Sequence, residues 1–165
     1  MADDFSFDVV SKVDLQGVDD AINAVNREIA VRFDFRGSVS RVELDKLKSE
    51  ITIHSDDENK LKSVTEILIT RLVKRAVDPK SLDYQKVETA LGAKVRQLVK
   101  IQQGVPSEKA KEVVADIKKA KIKVNASIQS DQVRVTSKSK DSLQETMNLL
   151  KKGDYGLPLQ FTNFR

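Results

Sequence analysis

Two clusters of side chains carry the chemistry this sequence offers. The first is Arg32-Phe-Asp-Phe-Arg-Gly37, in which two guanidiniums flank a carboxylate. On a strand, Arg32, Asp34 and Arg36 share one face, while Phe33, Phe35 and Gly37 share the other. Arginine forks match phosphate oxygens, and a carboxylate accepts from the amino and imino groups of a guanine edge. The same row also reads as an ion-pair ladder on a solvent face, which contributes little. Gly37 marks a bulge or a close backbone approach. The second cluster is Arg134, Lys138 and Lys140 in QVRVTSKSKD, at a strand end and the turn into a helix. With Lys121, Lys123 and Arg165 it forms a phosphate-attracting surface, because a helix start favours anions. The plain alternative is a solvated basic face. The matching loop of the first half, SDDENK, is acidic. It lacks the glycine and ligand spacing of a calcium loop, and reads as a charge cluster at a helix start.

Other chemistry is excluded or unsupported. The 165 residues contain no cysteine and one histidine, His54. Thiol nucleophiles, disulfides, Cys-ligated metals and a His-rich metal centre are therefore ruled out. There is no P-loop, no dinucleotide GxGxxG and no GxSxG. His54 reads as a polar residue alternating out of a strand. The expectation is a protein that binds rather than catalyses, with no cofactor and no metal. No apolar run approaches the ~20 residues that span a bilayer. The start MADDFSFDVV lacks the basic region of a signal peptide. These features point to a cytoplasmic protein that does not engage a membrane.

The six phenylalanines come in pairs: Phe5 with Phe7, Phe33 with Phe35, Phe161 with Phe164. Period-two pairs favour core packing over base stacking. The third strands of both halves, EITIHS and QVRVTS, carry no aromatic residue. A standard RNA-recognition sheet, which stacks bases on its central strands, is disfavoured.

An internal repeat supplies the elements that position these residues. ITIHSDDENKLKSVTEIL (51–68) aligns without a gap to VRVTSKSKDSLQETMNLL (133–150), at an offset of 82. Each copy reads as an alternating strand, a polar turn and an amphipathic helix. Ser55 with Glu58 has capping-box spacing, whereas Ser137 is followed by Lys140, so the second cap differs. Upstream, VDDAINAVNREIAV and SEKAKEVVADIKKA are helical and run into the strands RFDFRGSVSRVEL and KIKVNASIQ. First strands fall near Phe5–Val13 and Lys94–Gln102, last strands near Ser81–Leu91 and Leu157–Phe164. Gly104 and Pro106 punctuate a strand end, and Gly153 sits where a helix-capping glycine belongs. The fold class is α+β: two tandem ferredoxin-like, split βαβ domains, each a four-stranded antiparallel sheet with two helices on one face.

Charge divides the chain in the same sense. Residues 1–90 hold 14 Lys/Arg and 18 Asp/Glu, a net of −4, and residues 91–165 hold 15 and 7, a net of +8. The expected domains are therefore 1–90, acidic, and 91–165, basic, with terminal strands able to exchange between sheets. A basic half suits a nucleotide, a nucleic acid or an acidic protein surface.

SFDVVSKVDLQ, RFDFRG, the VKR of Val73–Arg75, IQSDQVRVTSKSKDSLQ and GLPLQFTNFR together resemble the YajQ family, over nearly the whole chain. The resemblance implies tandem ferredoxin-like domains and nucleotide binding. It also implies association with GTP, ATP or RNA, and in some members a cyclic-di-GMP effector role exerted through a transcription regulator. The expected nucleotide-binding residues are Arg32, Asp34, Phe35, Arg36, Arg134, Lys138 and Lys140. The alternatives are an RNA-binding module using the basic half and a protein-interaction adaptor using the acidic one.

Overall fold

The computed structural model describes residues 4–165. Its elements run β1 (Phe5–Val10), α1 (Leu15–Val31), β2 (Arg41–Asp45), β3 (Glu50–Ser55), α2 (Glu58–Lys74), β4 (Leu82–Tyr84), β5 (Glu88–Thr89), β6 (Val95–Ile101), α3 (Ser107–Lys119), β7 (Asn125–Gln129), β8 (Gln132–Ser137), α4 (Lys140–Lys152) and β9 (Gln160–Thr162). They form two ferredoxin-like domains with antiparallel sheets ordered β7-β8-β1-β9 and β2-β3-β6-β4. The short β5 also pairs with β6.

The domains are residues 13–102, and residues 1–12 with 103–165. This is not the division at residue 90 that the charge count suggested. β1 pairs with β8 and β9, whereas β6 pairs with β3 and β4. Each sheet thus takes its central strand from the other repeat. Side-chain pattern explains the pairing. Phe7 and Val9 alternate into one core beside Val133 and Val135, and Val95, Val99 and Ile101 into the other beside Ile51 and Ile53. The exchange also disperses the charge contrast. Residues 13–102 hold 16 Lys/Arg and 15 Asp/Glu, a net of +1, and the other domain 13 and 10, a net of +3.

Apolar spacing builds the helices. α1 buries Val18, Ala21, Ile22, Val25 and Ile29, and α2 buries Leu61, Val64, Ile67, Leu68 and Leu72, each as one stripe against its sheet. The caps are residues other than those the capping box suggested. Asp57 caps α2, accepting from the Lys60 N–H at 2.7 Å, and Ser55 is instead buried at the end of β3 with its Oγ 2.9 Å from Ser40 Oγ. Ser139 caps α4, accepting from Ser142 N–H at 3.2 Å. Gly153 does end α4, but with φ −76. Glycine is needed there for space, since a Cβ would lie 2.8 Å from the buried Tyr155 ring.

The strand expected from residue 32 is shorter than the sequence suggested. α1 continues to Val31, and Phe33–Phe35 forms a 3-10 turn before the chain reaches β2 at Arg41. The last strand of the 13–102 domain is likewise broken into β4 and β5. Among the described residues no helix is long and apolar enough to cross a membrane.

Candidate functional site

The Arg32–Gly37 segment does not form a one-sided row. Arg32 closes α1 through its N–H to Glu28 O at 3.0 Å, and the turn then swings alternate side chains apart. Phe35 drops into the core at 3 % exposure while Phe33 stands 82 % exposed. Arg32 is already occupied: Nε and Nη2 donate to Asp34 at 3.0 and 2.9 Å, and Nη1 to Glu28 at 3.1 Å. Glu28 also accepts from Arg71 at 2.7 Å. The bond from Arg32 holds the Asp34 carboxyl below its ordinary range, and the bond from Arg71 does the same to Glu28. Arg36 leans over Phe33, its guanidinium carbon 5.4 Å from the ring centroid. Lys60 bonds Asp34 O and stands 5.1 Å over the Phe35 ring. Gly37 has φ +74, and a Cβ added to it would meet nothing within 4 Å, so backbone conformation rather than close approach calls for glycine there.

The acidic loop is structural at two of its three carboxylates. Asp56 accepts from Ser38 Oγ, from Val39 N–H at 3.1 Å and from Lys94 at 3.4 Å, pinning the entry to β2. Asp57 caps α2. Glu58 is left as a first-turn charge with no ion pair among the described residues.

Arg134, Lys138 and Lys140 belong to the domain formed by residues 1–12 and 103–165, not to the one that holds the Arg32 segment. Arg134 is locked to Asp8, its partner across β1 and β8, with Nε to Oδ1 at 2.9 Å. Asn163 donates to Asp8 Oδ2 at 2.9 Å. The Arg134 bond holds the Asp8 carboxyl below its ordinary range, against the burial that would raise it. Lys138 borders a hollow of about 430 Å³ with Lys123 and Asp4.

Lys140 opens onto a different feature, a groove of about 590 Å³ between α4, β1 and the segment after β9. Leu143, Gln144, Met147 and Lys151 continue its helical wall at the spacing of one helix face. Phe5 and Ser6 supply the strand wall, and Phe164 and Arg165 the third side. The backbone fixes that third side. Asn163 takes φ +55, a conformation asparagine tolerates, and the chain then rejoins β1 through Ser6 N–H to Arg165 O at 3.2 Å and Arg165 N–H to Ser6 O at 3.0 Å. Phe161 and Phe164 bracket the fully buried Phe7 at 5.7 and 6.2 Å between ring centroids. Phe164 remains 61 % exposed, presenting a ring to the groove.

The electrostatics are one-signed. Lys140 Nζ lies 4.9 Å over the Phe5 ring and Lys151 Nζ 5.9 Å over the Phe161 ring. Among the described residues neither ammonium nor Arg165 makes an ion pair, and no acidic side chain lines the groove, while the Arg165 charge also helps to lower the Asp8 pKa. Cations held over aromatic rings, beside an exposed ring, suit an anion that also carries a flat apolar face. The open faces of the central strands offer no such ring, because Phe7 points inward with no exposure. Of this groove, the sequence clusters named Lys140, and the basic surface included Arg165. Phe5, Phe164, Met147 and Lys151 were missed, although Lys140, Leu143, Gln144, Met147 and Lys151 form a readable helical stripe.

Comparison with known proteins agrees over the full length. The family model described as nucleotide-binding protein YajQ-like matches residues 5–165. A protein of Elusimicrobium minutum named a nucleotide-binding protein is 56 % identical over 162 residues, covering 98 % of this chain and 99 % of its own length. One of Koribacter versatilis is 53 % identical over 165 residues, covering 100 % and 99 %. One of Carboxydothermus hydrogenoformans is 48 % identical across the whole of both chains. With matched segments spread from β1 to the residues after β9, the chain belongs to the YajQ-like family.

Proposed function

We propose that this chain is a non-enzymatic nucleotide-binding protein whose ligand lies in the Lys140 groove. The observation that carries the reading is the convergence on one hollow of two ammoniums without ion pairs, each held over an aromatic ring, and an exposed phenylalanine, with Arg165 also in the lining. Its volume of about 590 Å³ falls within the range of small-molecule sites. Lys140, Lys151 and Arg165 meet phosphates, and Phe164 stacks a base. Arg32 and Arg134 are neutralised by Asp34, Glu28 and Asp8, and Phe35 is buried, so those residues support the fold rather than the ligand.

The finer reading is cyclic-di-GMP, with GTP and ATP as weaker ligands and a protein partner such as a transcription regulator responding to the bound state. A cyclic dinucleotide brings two phosphates and two purines, which uses both the cations and the ring. Titration calorimetry of the intact chain with cyclic-di-GMP, GTP, ATP and single-stranded RNA tests it. The expected result is saturable heat with the nucleotides, strongest with cyclic-di-GMP and weakening as salt rises, with each nucleotide recovered intact. Absence of heat with every nucleotide overturns the reading. Binding of RNA alone, with affinity falling steeply in salt, replaces it with the RNA-binding alternative.

A further inference from the structure

The duplication places a second groove in the 13–102 domain, lined by two glutamates and one lysine where the first is lined by cations. Along α2, Glu58, Leu61, Thr65 and Ile69 line it where Lys140, Leu143, Met147 and Lys151 line the first, each at an offset of 82. The strand registers agree. Ile51 faces Val99 in one sheet and Val133 faces Val9 in the other. Tyr84 pairs with Val99 and Phe161 with Val9, so an aromatic ring stands at the equivalent place in each domain. The cations, by contrast, are not repeated. Glu58 stands for Lys140 and Ile69 for Lys151. Glu88, the counterpart of Arg165 by register, is paired with Arg96 at 2.8 Å and lies outside the groove lining.

The second groove measures about 470 Å³. Leu61, Ile69 and Val87 give it an apolar lining, and Glu58 and Glu66 make no ion pair among the described residues. A phosphate ligand is disfavoured there, and a cation with an apolar neighbour is favoured. Shape narrows the occupant. From Glu58 to Ile69 α2 rises about 16 Å, the length of about five residues of extended chain. Glu58 and Glu66 are separated by a rise of about 12 Å along the helix and about 80° around it, and both line the groove. Residues i and i+4 of an extended chain are about 13 Å apart and point the same way. Lys62 stands between the two glutamates, so the middle of the occupant is not basic.

We propose that this groove binds an extended segment of a protein partner carrying two Lys or Arg residues four apart, with an apolar residue midway. The inference is independent of the nucleotide reading. Its test is an amide-shift titration of the intact, isotope-labelled chain with the acetylated, amidated pentapeptide Arg-Ser-Leu-Ser-Arg, beside its counterpart Glu-Ser-Leu-Ser-Glu. The basic peptide alone is expected to give saturable shifts at Lys62, Thr65, Ile69, Tyr84 and Val87. Glu58→Gln with Glu66→Gln is expected to weaken it about fivefold, as two exposed charge pairs imply. Where that double variant does not fold, raising salt from about 0.05 to about 0.5 M in the wild type carries the same test. No saturable shift at millimolar peptide, equal binding of the acidic peptide, or an affinity indifferent to both charge removal and salt overturns the proposal.

Discussion

Changing Lys140 to glutamate would give the basic groove the residue that the duplicated groove carries at that position, Glu58. The ammonium stands at the first helical residue of α4, over Phe5 and without an ion-pair partner among the described residues. A hydrogen bond from such a charge to a phosphate contributes about 1.5–3 kcal/mol. A carboxylate placed about 6 Å from a phosphate, at a dielectric between that of a protein surface and water, adds about 1 kcal/mol of repulsion. The sum corresponds to roughly 100- to 1,000-fold weaker binding. Folding should hardly change. A glutamate in the first turn of α4 gains about 0.3–1 kcal/mol from the helix dipole, which offsets about 0.5–1 kcal/mol of lost cation–π contact with Phe5. The assay is calorimetric titration of wild type and Lys140→Glu with cyclic-di-GMP at one ionic strength, with a thermal melt of each. An affinity within about threefold of wild type, in a variant that melts normally, would refute the placement of the ligand in this groove.

Phe33 and Phe35, two residues apart, should behave oppositely. Phe35→Ala empties a core position and should cost about 3–5 kcal/mol in urea unfolding, and Phe33→Ala about 0.5 kcal/mol or less; similar losses would contradict the 3-10 turn. Gly104→Ala should lower the melting temperature by about 5–15 °C, because the residue has φ +84 and its Cβ would meet Asp131 Oδ2 at 2.7 Å. An unchanged melt would show that this turn relaxes freely. Asp8→Asn should cost about 1–2 kcal/mol at neutral pH by leaving Arg134 unpaired. The Asp8 carboxyl is held below 3.8 in the fold, so its contribution is complete above the unfolded value and is lost as pH falls through the folded one. Urea midpoints of wild type and Asp8→Asn should therefore converge as pH falls below the ordinary carboxylate range, and a constant gap would count against the pair.

The secondary structure was largely legible because burial imposes periods. Ile51, Ile53 and Ser55 alternate inward on β3 as Val133, Val135 and Ser137 do on β8, and the 82-residue offset carried that likeness into two domains of one fold. What the sequence could not express was pairing at a distance. β1 and β6 are both apolar strands followed by a helix, and local pattern does not say which sheet each completes. Arg32–Gly37 misled for another reason. Its alternation suits a strand, yet Glu28 accepts both the Arg32 backbone N–H and its side chain, which extends the helix, and Asp56 anchors Ser38 and Val39 from another element. The groove was half legible. Lys140 announced itself by charge, whereas Phe5 and Phe164 are 159 residues apart and meet only because the chain after β9 returns to β1.

The exchanged central strands set an order of events during synthesis. Residues 13–102 are contiguous, so that domain has all its strands once β6 has left the ribosome. β1 has no such neighbour nearby. Its main partner, β8, ends 127 residues after it, and at 5–20 residues per second Phe5–Val10 waits roughly 6–25 s for it. Throughout that interval an apolar FSFDVV segment has both edges unpaired, which is the condition for strand pairing between nascent chains. Completion of the inner domain limits the hazard by shortening the effective loop, because Ser11 O and Gly104 N–H finally meet at 2.6 Å. The most vulnerable moment for this protein is therefore its birth, and a holdase that covers the first strand would act there.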